Sequence, residues 1–160
     1  MNASAIFITD ETQWEYVKKW KGTQVEKALN FHISNKSAVI GASGGGSSII
    51  SHAYFDARSG NDNITSEFCL NNPGDFNITL WRDDFIKLDY LRDTFIDFNF
   101  TRPDDRKGRL MTFMAMSVND FYFDDVKGIG IDTHAALAID DKGLSTVFGS
   151  DSNPEYVYFA

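Results

Sequence analysis

The chain has 160 residues and a formal net charge of −8, with 15 Lys and Arg against 23 Asp and Glu. Hydrophobic residues make up 42% and aromatic residues 14% of the sequence, which is typical of a globular rather than a disordered protein. The acidic balance argues against nucleic acid and anionic membranes, because both bind clustered Lys and Arg. No apolar run reaches the roughly 20 residues of a bilayer-spanning helix. We therefore expect one domain over residues 1–160, with no nucleic-acid or membrane partner.

Strand and helix patterns alternate in the first part of the chain. Residues 5–9 form a short apolar run typical of a buried strand, and residues 14–31 carry apolar side chains at helical spacing. Gly22 is expected to divide that stretch into two helices. Residues 37–41 predict a second buried strand, and a helix of small residues is expected from Ser47. This order predicts a parallel sheet covered by helices.

The second part of the chain reads as loops, one helix and several short strands. Residues 59–84 carry Asn, Asp, Gly and Pro and are expected to be mainly loop, while residues 85–93 have weak helical periodicity. Residues 94–100 alternate apolar and polar side chains as in a strand, and residues 109–116 suit a helix. Four further short strands are expected at residues 128–131, 136–139, 146–148 and 156–159, with a hairpin turn at 140–143.

Five N-x-S/T sequons suggest a secreted protein. Random placement of the chain's 11 Asn and 23 Ser and Thr residues predicts about two such sequences. Because N-glycans are added only in the secretory pathway, the excess favours a secreted glycoprotein whose signal peptide has been removed or belongs to a longer precursor. The alternative is chance accumulation in an intracellular chain rich in Asn and Thr. The sequons begin at Asn2, Asn35, Asn63, Asn77 and Asn99, and we expect the one at Asn99 to be unused because a buried strand leaves no room for a glycan.

The single cysteine, Cys69, excludes an internal disulfide bond. In a secreted chain it is therefore either buried and inert or paired with another chain.

Residues 41–45, Gly-Ala-Ser-Gly-Gly, match the G-x-S-x-G pattern between a predicted strand and a predicted helix. Such a turn forces the serine into strained backbone dihedrals, and the flanking glycines permit this. Ser43 is therefore a candidate nucleophile, and a glycine-rich turn without a nucleophile is the alternative. A nucleophilic serine needs a base. The chain offers three histidines, each better explained as an ordinary surface or core residue: His32, His52 and His134.

Three segments together resemble the cyanophycinase-like serine peptidases, the relatives of peptidase E. In that family a strand leads to a G-G-x-Q turn, and a later strand leads to a G-T-S-A-G-A elbow. The counterparts here are residues 7–13, FITDETQ, and residues 41–46, GASGGG. The family's D-x-H-F motif corresponds to residues 97–100, DFNF, and an arginine-rich stretch follows in both. The family's G-I-G-I-D-E-x-T-A-L motif corresponds to residues 128–137, GIGIDTHAAL.

The resemblance implies a three-layer α/β sandwich with a mainly parallel central sheet and a strand–elbow–helix at Ser43. Members of the family are longer, so the fold is expected to be incomplete. A further chain, identical or different, would complete the sheet beside residues 5–9, and we therefore expect an oligomer. No cofactor and no metal ion is expected.

The resemblance also implies roles for individual residues. Ser43 corresponds to the nucleophile, and Asn99 stands where the family has its basic histidine. An acidic or aspartyl-linked substrate would be bound by Gln13, Arg102, Arg106 and Arg109. The alternative for the arginines is a solvated face paired with Asp104 and Asp105, and Asp97 and Asp132 are as well explained as structural carboxylates that hold loops.

The departures from the family fall where the chemistry should take place. The amide of Asn99 cannot accept the serine proton, and loss of one triad member lowers the rate by about 10⁴- to 10⁶-fold. The glycine pair before Gln13 is replaced by Asp10-Glu11 or, with a shift of one residue, by Glu11-Thr12. Bulky, anionic residues there oppose a developing oxyanion. We therefore expect a secreted, catalytically inactive glycoprotein.

Two other functions compete with this expectation. The first is an active serine hydrolase that cleaves acidic or aspartyl-linked peptides, with Ser43 as nucleophile and His52 or His134 as a displaced base. The second is a small-molecule or pigment carrier that uses the vacated cleft. That cleft would be lined by Phe7, Trp14, Phe98 and Phe100.

Overall fold

The computed structural model describes residues 3–36, 38–60, 63–101, 105–122, 124–149 and 155–160. Over these residues the chain is a mixed α/β protein with five α-helices and nine short strands. The helices are α1 (Gln13–Trp20), α2 (Gln24–Lys36), α3 (Gly45–Ile49), α4 (Ser66–Asn71) and α5 (Lys107–Asp120). The strands are β1 (Ala5–Ile8), β2 (Val39–Ala42), β3 (Ala53–Phe55), β4 (Leu80–Arg82), β5 (Thr94–Phe98), β6 (Lys127–Ile131), β7 (Ala136–Ile139), β8 (Ser145–Phe148) and β9 (Val157–Phe159).

The described strands pair in four small sheets. β1 and β2 are parallel, with Ala5 opposite Val39, and β5 and β6 are parallel, with Thr94 opposite Lys127. β9 runs antiparallel to β6, and β3–β4 and β7–β8 form two antiparallel pairs. Parallel pairing therefore holds for β1–β2 and β5–β6, whereas the three other described pairs are antiparallel.

Glycines set the main turns and the close contacts of the fold. Gly22, with φ of 76°, separates α1 from α2, which confirms the predicted division. Gly143, with φ of 80°, lies in the turn between β7 and β8, which confirms the predicted hairpin. In β6, a side chain at Gly130 would overlap the ring of Phe100, and Gly128 lies against the side chain of Met114 in α5. The glycines of the GIGI segment thus let core side chains approach β6 closely.

Alternate residues of β3 and β5 face two different hydrophobic clusters. Phe55 and Phe95 face the cluster that contains Phe113 of α5, with ring centroids 5.1 and 6.1 Å from that of Phe113. Tyr54 and Ile96 face the second cluster, to which α1 and α3 contribute. β3 and β5 therefore lie between two hydrophobic clusters, and helices contribute side chains to both.

Cys69 lies in the first cluster as a free, fully buried thiol. Burial raises the pKa of this thiol to about 11. A buried thiol that stays protonated is a poor nucleophile, which agrees with the prediction of an inert cysteine.

Several local predictions were wrong. Residues 59–84 are mainly loop as expected, but they also contain α4 and β4, which were not expected, and β3 was not expected either. Thr65 caps α4 because its Oγ1 accepts a hydrogen bond from the backbone N–H of Phe68 at 3.1 Å. Residues 85–93 form only a 3-10 turn, Asp89–Leu91. β1 was expected to be a buried strand, but only Ile8 is buried in it, and Phe7 is 66% exposed.

Candidate functional site

The glycine-rich turn joins β2 to α3. Ser43 extends the pairing of β2 with β1, since its backbone N–H donates to the Ile8 carbonyl at 3.0 Å. Gly44 then reverses the chain with φ of 52° and ψ of −133°, a conformation that residues with a side chain rarely adopt. The backbone N–H of Ser47 donates to the Gly44 carbonyl at 2.9 Å and begins the helix. The strand–turn–helix order predicted from the G-x-S-x-G pattern is therefore present.

The strained residue of this turn is Gly44 rather than Ser43. We expected the serine to take the strained conformation, but Ser43 has no positive φ. A nucleophile elbow places the nucleophile itself at the sharp point between strand and helix. In this turn that point carries no side chain, because the structure places the turn one residue later than the sequence pattern indicates.

Asp10 fills the space beside Gly44. A Cβ atom on Gly44 would overlap the Asp10 carboxylate. Asp10 Oδ1 also accepts a hydrogen bond from the backbone N–H of Gly45 at 3.2 Å. The N–H of the residue after the nucleophile, here that of Gly44, is one donor of an oxyanion hole. The carboxylate therefore lies beside that donor and places negative charge near the point where an oxyanion would form.

Gln13 lies behind the turn, in the interior. It is the first residue of α1 and is 1% exposed. A Cβ atom on Gly45 would lie 3.2 Å from Gln13 Oε1, so the two residues are in close contact. Within the described part of the chain, this buried Oε1 has no hydrogen-bond partner. The position of Gln13 keeps its side chain out of reach of a large substrate.

Asn99 follows β5 and takes a left-handed conformation with φ of 48°, which asparagine tolerates better than most residues. Its Oδ1 accepts a hydrogen bond from the Thr133 hydroxyl at 3.3 Å. Among the described residues, the Ser43 hydroxyl has no hydrogen bond to Asn99 or to any other side chain. The structure therefore does not join the two predicted catalytic positions by a hydrogen bond.

The three histidines contact other parts of the molecule. His52 Nδ1 accepts a hydrogen bond from the backbone N–H of Asp93 at 3.0 Å, and burial lowers the pKa of its imidazole. His134 Nδ1 lies 2.8 Å from Glu155 Oε1, and this contact lowers the pKa of Glu155. His32 lies in α2, where its Nδ1 is buried without a partner among the described residues.

Arg106 and Arg109 are buried and converge on Asp97. Arg109 donates from Nε to Asp97 Oδ2 at 2.9 Å and from Nη2 to Oδ1 at 2.6 Å. Arg106 lies 3.4 Å from the same carboxylate through Nη1, and its Nη2 donates to Asn63 Oδ1 at 2.9 Å. These guanidinium groups are therefore held in the interior, neither as an open substrate patch nor as the solvated face that was the alternative. Arg102 lies outside the described residues.

Asp132 also has a structural environment. Its Oδ1 accepts hydrogen bonds from the backbone N–H and the hydroxyl of Thr101, at 2.9 and 2.7 Å. Its Oδ2 accepts one from the backbone N–H of Tyr156 at 3.0 Å. The buried carboxylate thus joins the loop after β5 to the segment before β9.

The four aromatic residues expected to line a cleft lie apart. Phe7 is exposed, Phe100 packs in the first hydrophobic cluster, and Trp14 packs on the edge of the second. Phe98 lies under the guanidinium of Arg106, 4.6 Å from the ring centroid. The structure instead has an apolar cavity of about 170 Å³ between β2 and β5, lined mainly by aliphatic side chains that no sequence motif indicated.

The described sequons differ in exposure. Asn35 in α2 and Asn63 before α4 are exposed, whereas Asn77 and Asn99 are half-buried. The amide of Asn77 donates to Asp75 Oδ1 at 2.8 Å. Asn2 lies outside the described residues. Asn35 and Asn63 are therefore the described sequons that leave most room for a glycan.

No protein-family model matches the chain, and no curated protein sequence is significantly similar to it. No group of three or more His, Cys, Asp or Glu side chains within the described ranges could hold a metal ion. None of the described helices is long and apolar enough to cross a membrane. The resemblance to the cyanophycinase-like peptidases therefore rests on the quoted motifs and stays a prediction.

Proposed function

We propose that the chain is a catalytically inactive, cyanophycinase-like glycoprotein or glycoprotein subunit that is secreted. The observation that carries the inactive state is the contact of the Asp10 carboxylate with Gly44 and with the Gly45 N–H. A hydrolase with Ser43 as nucleophile needs the Gly44 N–H to stabilise the oxyanion of its tetrahedral intermediate. Here a carboxylate of the same chain lies against Gly44 and opposes negative charge at that donor.

The other parts of a serine hydrolase site support the same conclusion. A serine nucleophile must give its proton to a base within hydrogen-bond reach. Asn99, at the position of the family base, has no basic nitrogen, and its carbonyl oxygen accepts from Thr133. The turn also places a glycine, rather than Ser43, at its strained point. Nucleophile geometry, base and oxyanion donor thus all depart from what acyl transfer requires.

The alternative of an active hydrolase with a displaced base has little support in this geometry. His52 Nδ1 already accepts from the Asp93 backbone, and His134 pairs with Glu155 on the surface. Either imidazole would have to leave its contacts and approach Ser43.

A three-layer sandwich completed by another chain is the finer fold that we propose. The alternation of β3 and β5 side chains between two clusters with helices supports a layered arrangement. The exposure of Phe7 (66%) and Val39 (70%) on β1 and β2 supports an uncovered surface at this end. An open strand edge with exposed apolar side chains is a ready site for pairing with a further strand. We propose that a further chain, identical or different, pairs there.

Labelling with a fluorophosphonate tests the loss of catalysis. We expect the folded wild-type protein to react no more than the Ser43→Ala variant, while an active serine hydrolase in the same assay is labelled. Melting curves of both proteins check that they are folded. Labelling of the wild type that disappears in Ser43→Ala would establish a reactive serine and overturn this proposal.

Expression in a secretory host tests the compartment and the partner. We expect the intact mass to fall on enzymatic deglycosylation, and Asn35→Gln and Asn63→Gln each to remove one glycan. On size exclusion we expect an assembly larger than one chain. A deglycosylation-insensitive mass would contradict the glycoprotein, and a stable monomer would contradict the partner.

A further inference from the structure

The cavity between β2 and β5 is formed by elements from different parts of the chain. β2 contributes Ile40 and Ala42, β5 contributes Ile96, β6 contributes Ile131, and β7 contributes Leu137 and Ile139. Its volume is about 170 Å³. The cavity thus lies where the β1–β2 pair, the β5–β6–β9 sheet and the β7–β8 hairpin approach each other.

The polar groups of the lining already have partners. The Ser47 hydroxyl donates to the Gly44 carbonyl at 2.5 Å, and the Tyr90 hydroxyl donates to the Asp141 carbonyl. The other described lining side chains are aliphatic. A charged or strongly polar molecule would lose its hydration here without gaining a hydrogen bond. The lining therefore favours an uncharged, apolar occupant.

The volume suits one small ring or a branched hydrocarbon. An engineered cavity of about 150 Å³ lined by Leu, Ile and Phe stays dry and binds benzene or xenon. Water inside the present cavity would likewise find few hydrogen-bond partners. A molecule of benzene size would fill most of the space and restore the contacts that the lining side chains lack.

The position of the cavity in the fold also fits a ligand site. Ala42 and Ile131 are the last residues of β2 and β6, so the cavity lies at the carboxyl ends of two parallel-paired strands. Open α/β folds bind ligands at such ends. Tyr90 lines the cavity and is 59% exposed, so the cavity reaches solvent beside the Tyr90–Asp141 hydrogen bond.

We propose that this cavity is a binding site for a small, uncharged, apolar molecule of about benzene size. The proposal does not depend on the loss of catalysis, because Asp10, Ser43 and Asn99 do not line the cavity. A reactive Ser43 would leave it intact. The proposed site is also different from the aromatic cleft predicted from the sequence, because its lining is mainly aliphatic.

Titration with benzene tests the site directly. In wild-type protein with labelled isoleucine methyl groups, we expect saturable NMR shifts at Ile40, Ile96 and Ile131. Ile64 and Ile78 lie in the other hydrophobic cluster and should not shift, so they report non-specific binding. Absence of saturable shifts at the cavity isoleucines would overturn the proposal, and so would equal shifts in both groups. Benzoate, of similar shape but charged, should cause no saturable shift.

Cavity-filling variants provide the matched comparison. Ala42→Leu adds three carbons to the lining and is expected to weaken benzene binding at least about tenfold. Ala138→Leu makes the same change on the exposed face of β7 and should bind like the wild type. Ile139→Phe fills the space from the opposite wall, in case Ala42→Leu does not fold. Unchanged binding in a folded filling variant would overturn the proposed location.

Discussion

Asp10 and Asp97 have opposite environments, although the sequence associates both with the predicted catalytic site. Asp97 is 2% exposed and receives two hydrogen bonds from Arg109 and one from Arg106. Asp10 is exposed and receives one hydrogen bond, from the Gly45 backbone. The arginine motif that suggested substrate binding thus lies in the core, while the Asp10 carboxylate lies at the surface against the glycine-rich turn.

The energetic consequence of this difference is large. A buried carboxylate between guanidinium groups cannot be removed without leaving unpaired charge in the interior. An exposed carboxylate can be replaced while water solvates the N–H that it leaves. Substitutions at the two positions should therefore separate an effect on stability from an effect on the chemistry of the turn.

The largest effect is expected for Asp97→Asn. The asparagine keeps the size of the side chain but removes the charge that balances Arg106 and Arg109. We expect the free energy of unfolding to fall by about 3–5 kcal/mol. Urea denaturation measures this loss.

Asp125→Asn is the matched control for that loss. The Asp125 side chain is exposed and pairs with Lys127 at 3.2 Å on the surface. Its replacement should change the free energy of unfolding by less than about 0.5 kcal/mol. If Asp97→Asn were equally harmless, the arginines would not depend on Asp97, and a substrate role for them would regain support.

An intermediate effect is expected for Gly44→Ser. The serine must adopt a positive φ and would overlap the Asp10 carboxylate, so we expect a loss of about 2–3 kcal/mol. Gly74→Ser also requires a positive φ but has open space around the new side chain, so it should cost less. Urea denaturation of both variants isolates the part of the loss that is due to Asp10.

A double-mutant cycle completes that comparison. Asp10→Ala alone should change stability by less than about 1 kcal/mol, because one hydrogen bond from an exposed carboxylate is lost. In the Gly44→Ser background the same change should instead recover about 1 kcal/mol. Additive free energies would show that the Asp10 carboxylate does not obstruct the turn.

Local patterns predicted much of the secondary structure. The Gly22 break, β5, α5 and the four late strands are present because periodicity and turn residues act over short distances. β3 and β4 are three residues each and were not recognised, since such short strands carry too few positions to show a period. Residues 85–93 form only a 3-10 turn, although Phe85, Ile86 and Leu91 of this segment are buried in the second hydrophobic cluster.

The candidate site was predicted less well, for reasons of register and burial. The G-x-S-x-G pattern located the turn, but a run of three glycines after Ser43 leaves open which residue takes the strained conformation. The arginine spacing indicated neighbouring positions on α5 but not that Asp97 would hold them in the interior. The apolar cavity combines β2, β5, β6 and β7, so no single segment could indicate it.

The smallest expected effect on stability concerns the imidazole of His52, which lies beside the carboxylate of Asp93. Burial lowers the pKa of His52 from its ordinary value, although Asp93 and Asp83 act to raise it. Above about pH 6.5 both folded and unfolded imidazoles are neutral, and the stability is complete. As the pH falls below that value the unfolded chain takes up the proton first, so stability is lost until the folded imidazole is also protonated.

His52→Asn and Asp93→Asn should change this pH dependence in opposite directions. The asparagine at position 52 keeps an acceptor for the Asp93 N–H and removes the titrating ring, so the loss of stability between pH 7 and pH 5 should be smaller than in the wild type. Asp93→Asn removes a charge that raises the His52 pKa, so the loss should be larger. Urea unfolding across this range measures both slopes. Equal slopes in all three proteins would mean that the fold does not lower the pKa of His52.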